Sequence, residues 1–260
     1  MKAALLLALL LAAQASATLP SENFEQRVGF DQHLDSPLPL EETFTDSTGH
    51  PLRLGNVFSG KPVILVLAYF RCPNLCGIVL NGLLRGVQEL KASAGSDYDV
   101  VAVSIDPHES TSRAADKKAS YVLRYGRPGT SGGWHFLTGA PAAIERLTNA
   151  VGFRYFYDEA SDQFAHPSGI VVVTPHGRIS QYLLGIEYPP QDLSHALQKA
   201  SRGEKGSLVR NLLLLCFHYN PETGKYSLAI TRVLQAAGAL TVVALISGIL
   251  LLHHRNPRRT

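Results

Sequence analysis

The amino-acid sequence predicts an α/β domain, in which helices flank a central mixed sheet. Apolar runs rich in β-branched and aromatic residues, without helical spacing, indicate buried strands at 62–70 and 98–105. A segment with helical character follows each run, at 78–90 and 110–125. Residues 168–184 then predict a hairpin around Pro175-His176-Gly177. Alternating strands and helices are typical of a sheet layered between helices, and we expect one such domain over 41–200.

Shorter patterns predict the remaining elements of this domain. Turn residues between apolar positions indicate two short strands over 41–54. Ser110 or Thr111 is a plausible N-cap for the helix that ends at Tyr125, and Pro141 suits the first turn of another helix. In chain order we predict a strand at 134–138, a helix at 141–151, a strand at 153–157, a loop at 161–167 and a last helix at 189–200.

Both termini predict export and membrane anchoring. Residues 1–17 have a positive start, an apolar core and the small residues Ala15-Ser16-Ala17, which is typical of a cleaved signal peptide; an uncleaved anchor is the alternative. Residues 18–40 predict an extended lead-in and 201–233 a linker and juxtamembrane segment. Residues 234–252 carry no charge and have the length of a transmembrane helix, with a buried core helix as the alternative.

The basic tail at 253–260 predicts the orientation of this anchor. Positive residues favour the cytoplasmic side, so we expect the C-terminus inside the cytoplasm and the main domain outside it, with a single pass through the membrane. The net charge is only +3, from 24 basic and 21 acidic residues. Since no basic stripe is interleaved with aromatic residues, the composition argues against nucleic-acid binding.

Two of the three cysteines, Cys72 and Cys76, lie where the first buried strand ends and a helix begins. The unpaired N–H groups and partial positive charge of a helix start favour thiolate over thiol. Cysteines four residues apart there can close a disulfide or offer two soft sulfurs to one metal ion. A purely structural disulfide is a third possibility. A cysteine pair on the first strand–helix turn of an α/β domain suggests a thioredoxin-like fold.

Three blocks of this sequence resemble the Sco/SenC family of copper-binding proteins. Residues 70–76, Phe-Arg-Cys-Pro-Asn-Leu-Cys, are similar to the C-P-x-x-C loop of the family, and 103–107, Val-Ser-Ile-Asp-Pro, to its S-[IV]-D-P strand end. His166-Pro167-Ser168, followed by a strand and by 174–177, is similar to the family's single histidine ahead of a strand and a P-x-G turn. The C-terminal anchor resembles that of a bacterial subgroup with a cleaved signal and a membrane helix at the end. This implies a single pass through the bacterial inner membrane, with the main domain in the periplasm and the C-terminus in the cytoplasm.

The resemblance implies a thioredoxin-like domain that binds copper, as Cu(I) or Cu(II), through Cys72, Cys76 and His166. It also implies a metallochaperone rather than an enzyme, which helps to assemble the dinuclear CuA centre of cytochrome c oxidase. The implied partners are the CuA-bearing oxidase subunit, a periplasmic thiol reductant and the membrane. The alternative is a thiol-disulfide oxidoreductase that uses the Cys72–Cys76 redox disulfide to reduce the cysteines of a copper-receiving partner.

Other candidate residues have competing interpretations. Asp106 is either a turn residue before Pro107 or a carboxylate near the metal that supports its ligands. Cys216 and His218 could form a second metal site between the domain and the membrane, or Cys216 could be a buried thiol in an apolar segment. His166 without the resemblance could be an ordinary loop histidine.

Overall fold

The computed structural model describes residues 27–71, 75–159 and 162–206, together with 219–220, 225–226, 238 and 241–242. The chain divides into two compact units, Met1–Gly206 and Ser207–Thr260. The strands of the first unit are β1 Gly29–Phe30, β2 Thr43–Thr45, β3 Pro51–Arg53, β4 Val63–Ala68, β5 Asp99–Ser104, β6 Trp134–Leu137, β7 Phe153–Arg154, β8 Phe156–Asp158, β9 Gln163–Ala165, β10 Gly169–Val173 and β11 Ile179–Leu184. Its helices are α1 Leu75–Gln88, α2 Thr111–Tyr125, α3 Pro141–Val151 and α4 Pro190–Ser201, and the second unit contains the pair β12 Tyr219–Asn220 and β13 Lys225–Tyr226.

A five-stranded mixed sheet in the order β11-β10-β4-β5-β6 forms the centre of the first unit. Strands β4, β5 and β6 are parallel, while β10 is antiparallel to both β4 and β11. Every residue of β4, β5 and β10 is buried, as expected of strands covered on both faces. The predicted α/β class, the mixed sheet and the late hairpin are therefore confirmed.

The helices begin and end where local chemistry favours it. The Ser110 hydroxyl accepts a hydrogen bond from the Arg113 amide at the start of α2, and Gly126 ends that helix with a left-handed backbone. Pro141 opens α3, as predicted. Helix α1 packs against both α2 and α4, so the helix that carries Cys76 is held on two sides.

The lead-in and the start of the predicted linker are both tied to the domain. Strand β1 pairs with β7, and Leu38 is buried while its amide donates to the Gly177 carbonyl at 2.8 Å. After α4, the Gly206 amide donates to the Ser180 carbonyl at 2.7 Å. The Ser180 hydroxyl donates to the Glu204 carbonyl at 2.6 Å. The chain between 201 and 206 therefore runs along the edge strand β11.

The predicted loop at 161–167 is wrong in part, because β9 forms a hairpin with β8 in which Phe156 faces Ala165. Phe164 in this strand packs near the rings of Tyr155 and Tyr157, at centroid distances of 6.0 and 5.1 Å. It also packs near the ring of Tyr69, at 5.4 Å. A strand of three residues gives little periodicity, and the Tyr69 ring that Phe164 contacts lies far away in sequence, so the local pattern did not indicate the strand.

The prediction of a C-terminal transmembrane helix must be corrected. Across the residues that the structure describes, no helix is long and apolar enough to span a membrane. A span needs about 20 consecutive apolar residues, whereas α2, the longest described helix, has 15 residues and carries many charges. Apart from Gly238, Thr241 and Val242, the segment 234–252 lies outside the described residues, as do the predicted signal peptide at 1–17 and the basic tail at 253–260.

Candidate metal site

The segment that leads to the cysteines leaves the sheet at the carboxyl end of β4. Ala68 is the last residue of β4, Tyr69 and Phe70 are each 2% exposed, and α1 begins at Leu75. The predicted strand–helix junction is therefore confirmed. Cys72 lies outside the described residues, and Cys76 lies in the first turn of α1 with its side chain outside them.

The sheet topology brings His166 to the same edge. Strand β10 runs antiparallel to β4 with Val171 opposite Leu65, so the residues that precede β10 lie beside those that follow β4. His166 accordingly contacts Tyr69, whose ring centroid is 5.9 Å away in an edge-on arrangement. Tyr69 is the third residue before Cys72, and the histidine therefore lies next to the segment that enters the cysteine loop.

His166 differs from an ordinary loop histidine because it is buried, with 7% of its surface exposed. Its ring stacks on that of Phe153 at 6.0 Å. The Nδ1 atom lies 3.0 Å from the carbonyl oxygen of Pro167. A carbonyl only accepts, so in the neutral imidazole Nδ1 carries the proton and donates it there. The unprotonated nitrogen is then Nε2, the one that could bind a metal ion.

Asp106 lies at the end of β5, next to the cysteine segment, and is 1% exposed. Its Oδ1 accepts a hydrogen bond from the His108 amide at 2.9 Å. The Nε atom of Arg71 lies 2.9 Å from Oδ2, which forms an ion pair. That oxygen has no well-aligned hydrogen bond among the described residues, so we treat the contact with Arg71 as chiefly electrostatic. Asp106 is thus paired with the residue that directly precedes Cys72.

Arg71 also reaches toward the hairpin that precedes His166. Its Nη2 lies 3.9 Å from Oδ1 of Asp162, an exposed carboxylate in the β8–β9 turn. The Tyr157 hydroxyl donates a short hydrogen bond to the same Asp162 oxygen, and this bond raises the pKa of Tyr157. Arg71 therefore connects the end of β5 with the hairpin that precedes the histidine.

A second carboxylate at this edge, Glu109, was not predicted. Its Oε2 accepts hydrogen bonds from the backbone amides of Phe70 at 2.6 Å and Arg71 at 3.1 Å. Its Oε1 lies 3.3 Å from Nε of Arg113, and the side chain is 2% exposed. Glu109 follows β5 and its partners follow β4, almost 40 residues earlier. The only signal in the sequence is its place one residue before the Ser110 cap and four before Arg113.

The histidine between Asp106 and Glu109 points to solvent-accessible space, and the remaining candidates lie outside the described residues. That histidine, His108, is exposed. Cys216 and His218 fall outside the residues that the structure describes, so a second metal site there stays a prediction. Within the described part of the chain, no three His, Cys, Asp or Glu side chains are grouped to hold a metal ion. The three predicted ligands include two cysteines whose side chains are outside that part.

Three comparisons show which known proteins this chain resembles. A family model, SCO1/SenC, matches residues 39–202. A relative from Stutzerimonas stutzeri named "Putative copper-binding protein" is 24% identical over 176 residues, which cover 65% of this chain and 82% of the relative.

Solved structures share the fold. A "putative electron transfer protein" of Aquifex aeolicus is 27% identical with a TM-score of 0.58, over 66% of this chain and 95% of that one. Arabidopsis thaliana ScoI with copper bound is 19% identical with a TM-score of 0.51, over 65% of this chain and 99% of its own. At such identity the second likeness concerns the fold alone. The predicted thioredoxin-like α/β domain with a mixed sheet is thereby confirmed.

Proposed function

Because the chain belongs to the SCO1/SenC family, we propose that it binds copper as a cargo and passes it to another protein. The proposed ligands are the thiolates of Cys72 and Cys76 and the imidazole of His166. The observation that carries this proposal is the buried His166 beside Tyr69, at the edge where the chain enters the cysteine loop. An imidazole that donates from Nδ1 to a carbonyl binds a metal ion through Nε2.

The proposed donor set suits both oxidation states of copper. Thiolate sulfurs are soft ligands that favour Cu(I), while imidazole also binds Cu(II). Two sulfurs and one nitrogen leave the ion with few ligands, so an incoming ligand of a partner can bind before the first ligands leave. Such a site favours transfer of copper by ligand exchange over permanent storage.

Copper loading should depend on the redox state of the two cysteines. Oxidation of Cys72 and Cys76 removes two electrons and two protons and joins the sulfurs in a disulfide, which cannot supply two thiolates. A thiol reductant must return those electrons and protons before copper binds. We propose that this exchange takes place in the periplasm, an oxidising compartment, as the N-terminal signal pattern predicts.

The proposed recipient is the CuA-bearing subunit of cytochrome c oxidase. This part of the proposal is supported by membership of the SCO1/SenC family. Loss of the protein should lower the CuA content of the oxidase most strongly when copper is scarce. Unchanged CuA content under those conditions would point to another recipient.

Two histidine variants test the ligand set. His166→Ala should lose tight copper binding but still form the Cys72–Cys76 disulfide. The matched control is His176→Ala, because His176 is an exposed residue in the turn after β10, at the far end of that strand. The control should bind copper as the unchanged protein does. Equal copper binding by both variants would exclude His166 as a ligand.

A thiol-disulfide oxidoreductase is the second candidate function. The observation that favours it is the place of Cys76 in the first turn of α1, since a helix start stabilises a thiolate. Reduction of insulin, or of an oxidised peptide from a copper-receiving partner, would support this function. We expect such activity to be slow, because three residues separate the cysteines instead of the two in the C-x-x-C motif of thioredoxin-like enzymes.

A further inference from the structure

We propose that Glu109 is a positioning residue for the cysteine loop, holding the backbone that enters Cys72. The inference rests on the proposed copper site and adds a residue that no motif in the sequence singles out. Glu109 binds no metal in this proposal. It acts on the ligands through the main chain of Phe70 and Arg71.

The carboxylate of Glu109 is buried and paired at both oxygens. Oε2 receives the amides of Phe70 and Arg71, and the Ser104 hydroxyl lies 3.4 Å away. Oε1 pairs with Arg113 across one turn at the start of α2. Burial of a carboxylate is unfavourable unless such partners compensate for lost hydration, so the geometry indicates a defined position for this side chain.

These contacts fix the last two residues before the first cysteine. One oxygen accepts from consecutive amides, so the peptide planes of both Phe70 and Arg71 are held. Hydrogen bonds to an ionised acceptor are about twice as strong as neutral ones. The direction in which the chain leaves β4 toward Cys72 is therefore set by a residue that follows the neighbouring strand β5.

The contacts of Glu109 also affect the part of the proposed site that contains His166. Arg71, whose amide Glu109 holds, extends its guanidinium to Asp106 and toward Asp162. Asp162 lies in the hairpin turn just before the strand that leads to His166. A shift of the Arg71 backbone would move this guanidinium and loosen the link between the cysteine loop and that hairpin. Metal ligands need to be held within about 0.5 Å of their productive geometry.

Asp99 provides a matched control. It is also a buried carboxylate paired with a basic side chain, with Lys61 Nζ 3.1 Å from its Oδ2 and 5% of the side chain exposed. It begins β5, whereas Ser104 ends that strand near Glu109. Asp99→Asn therefore removes a comparable buried charge at the opposite end of the same strand. If Glu109 only stabilises the domain, Asp99→Asn should affect copper binding as the Glu109 variants do. If Glu109 positions the cysteine loop, Asp99→Asn should leave copper binding unchanged.

The test compares Glu109→Ala, Glu109→Gln and Asp99→Asn in the full chain, reduced and free of oxygen. We expect Glu109→Ala to weaken Cu(I) binding by at least about tenfold, since two hydrogen bonds to a charged group are lost. Glu109→Gln keeps an acceptor oxygen and should weaken binding by roughly threefold. The charge-transfer absorption of the Cu(II) form should also change in Glu109→Ala. Asp99→Asn should keep both the affinity and the spectrum of the unchanged protein.

Wild-type affinity and an unchanged spectrum in Glu109→Ala would overturn the proposal. If that variant does not fold, the Cu(I) affinity of Glu109→Gln is the test. An affinity equal to that of Asp99→Asn would overturn the proposal. If the unchanged protein takes up no copper, the copper-binding function itself fails. The equilibrium of the Cys72–Cys76 disulfide with glutathione then tests the positioning role independently of copper binding. A shift of about fivefold or more in a Glu109 variant, absent in Asp99→Asn, supports the positioning role, and equal equilibria refute it.

Discussion

Replacing Gly82 with alanine should destabilise the domain, although the same change stabilises most helices. Gly82 lies in α1 and is buried against the segment that joins β11 to α4. A Cβ atom added there would lie 1.9 Å from the carbonyl oxygen of Ile186 and 2.9 Å from its carbon. Real Cβ atoms essentially never come closer than 3.0 Å to such atoms. The helix and the Ile186 backbone must therefore separate by more than 1 Å.

The size of the effect follows from two opposing contributions. Overpacking of a tight interface costs about 1–3 kcal/mol, while alanine in place of glycine favours the helix by roughly 0.8–1.0 kcal/mol. The difference is a net loss of up to about 2 kcal/mol in the free energy of unfolding. For a domain of this size each kcal/mol lowers Tm by roughly 2–4 °C. Urea denaturation of the metal-free, reduced protein, followed by circular dichroism, measures the change.

Gly77 in the same helix supplies the control. A Cβ there would have only Asn81 Nδ2 within 4 Å, at 3.9 Å. Gly77→Ala should therefore be neutral or stabilise by up to about 1 kcal/mol. If Gly82→Ala proves as stable as Gly77→Ala, the close approach of α1 to the Ile186 carbonyl is not a property of the molecule, and the reasoning fails.

Three further predictions concern stability. Arg71→Met should destabilise by about 1–3 kcal/mol because it leaves the Asp106 carboxylate buried and unpaired, and adding Asp106→Asn should restore part of that loss in urea denaturation; a further loss would contradict the pairing. Ser110→Ala should cost about 1 kcal/mol through the lost N-cap of α2, and an unchanged unfolding midpoint would argue against the cap. Burial lowers the pKa of His135 in the folded state. The part of the domain's stability that depends on neutral His135 is therefore complete above the unfolded pKa of about 6.5, and it is lost as pH falls below that value. Tm measured from pH 8 to pH 5 should fall less in His135→Gln, and identical profiles would refute this.

Sequence alone could predict those parts of the fold that local patterns determine. The buried strands β4, β5 and β10 are rich in β-branched residues, and α2 carries its own cap at Ser110. The junction at the cysteines follows from the end of one run and the start of another. Each of these features depends on residues that are close in the chain, so spacing and composition are sufficient.

The remainder of the site depends on contacts between distant segments. That His166 lies beside Tyr69 follows from the antiparallel pairing of β10 with β4, which no local pattern specifies. Glu109 and Phe70 meet because β4 and β5 are parallel neighbours whose carboxyl ends share one edge. The β8–β9 hairpin also places Phe164 against Tyr69, which belongs to a distant segment. Contacts of this kind can be found only when the topology is known.

Copper uptake by the reduced and the oxidised protein tests the central claim most directly. The purified chain would be titrated with Cu(I) without oxygen, before and after formation of the Cys72–Cys76 disulfide. We predict one tightly bound copper ion per reduced chain, none in the oxidised chain, and loss of binding in Cys72→Ser. Equal copper binding by the reduced chain, the oxidised chain and Cys72→Ser would contradict the account.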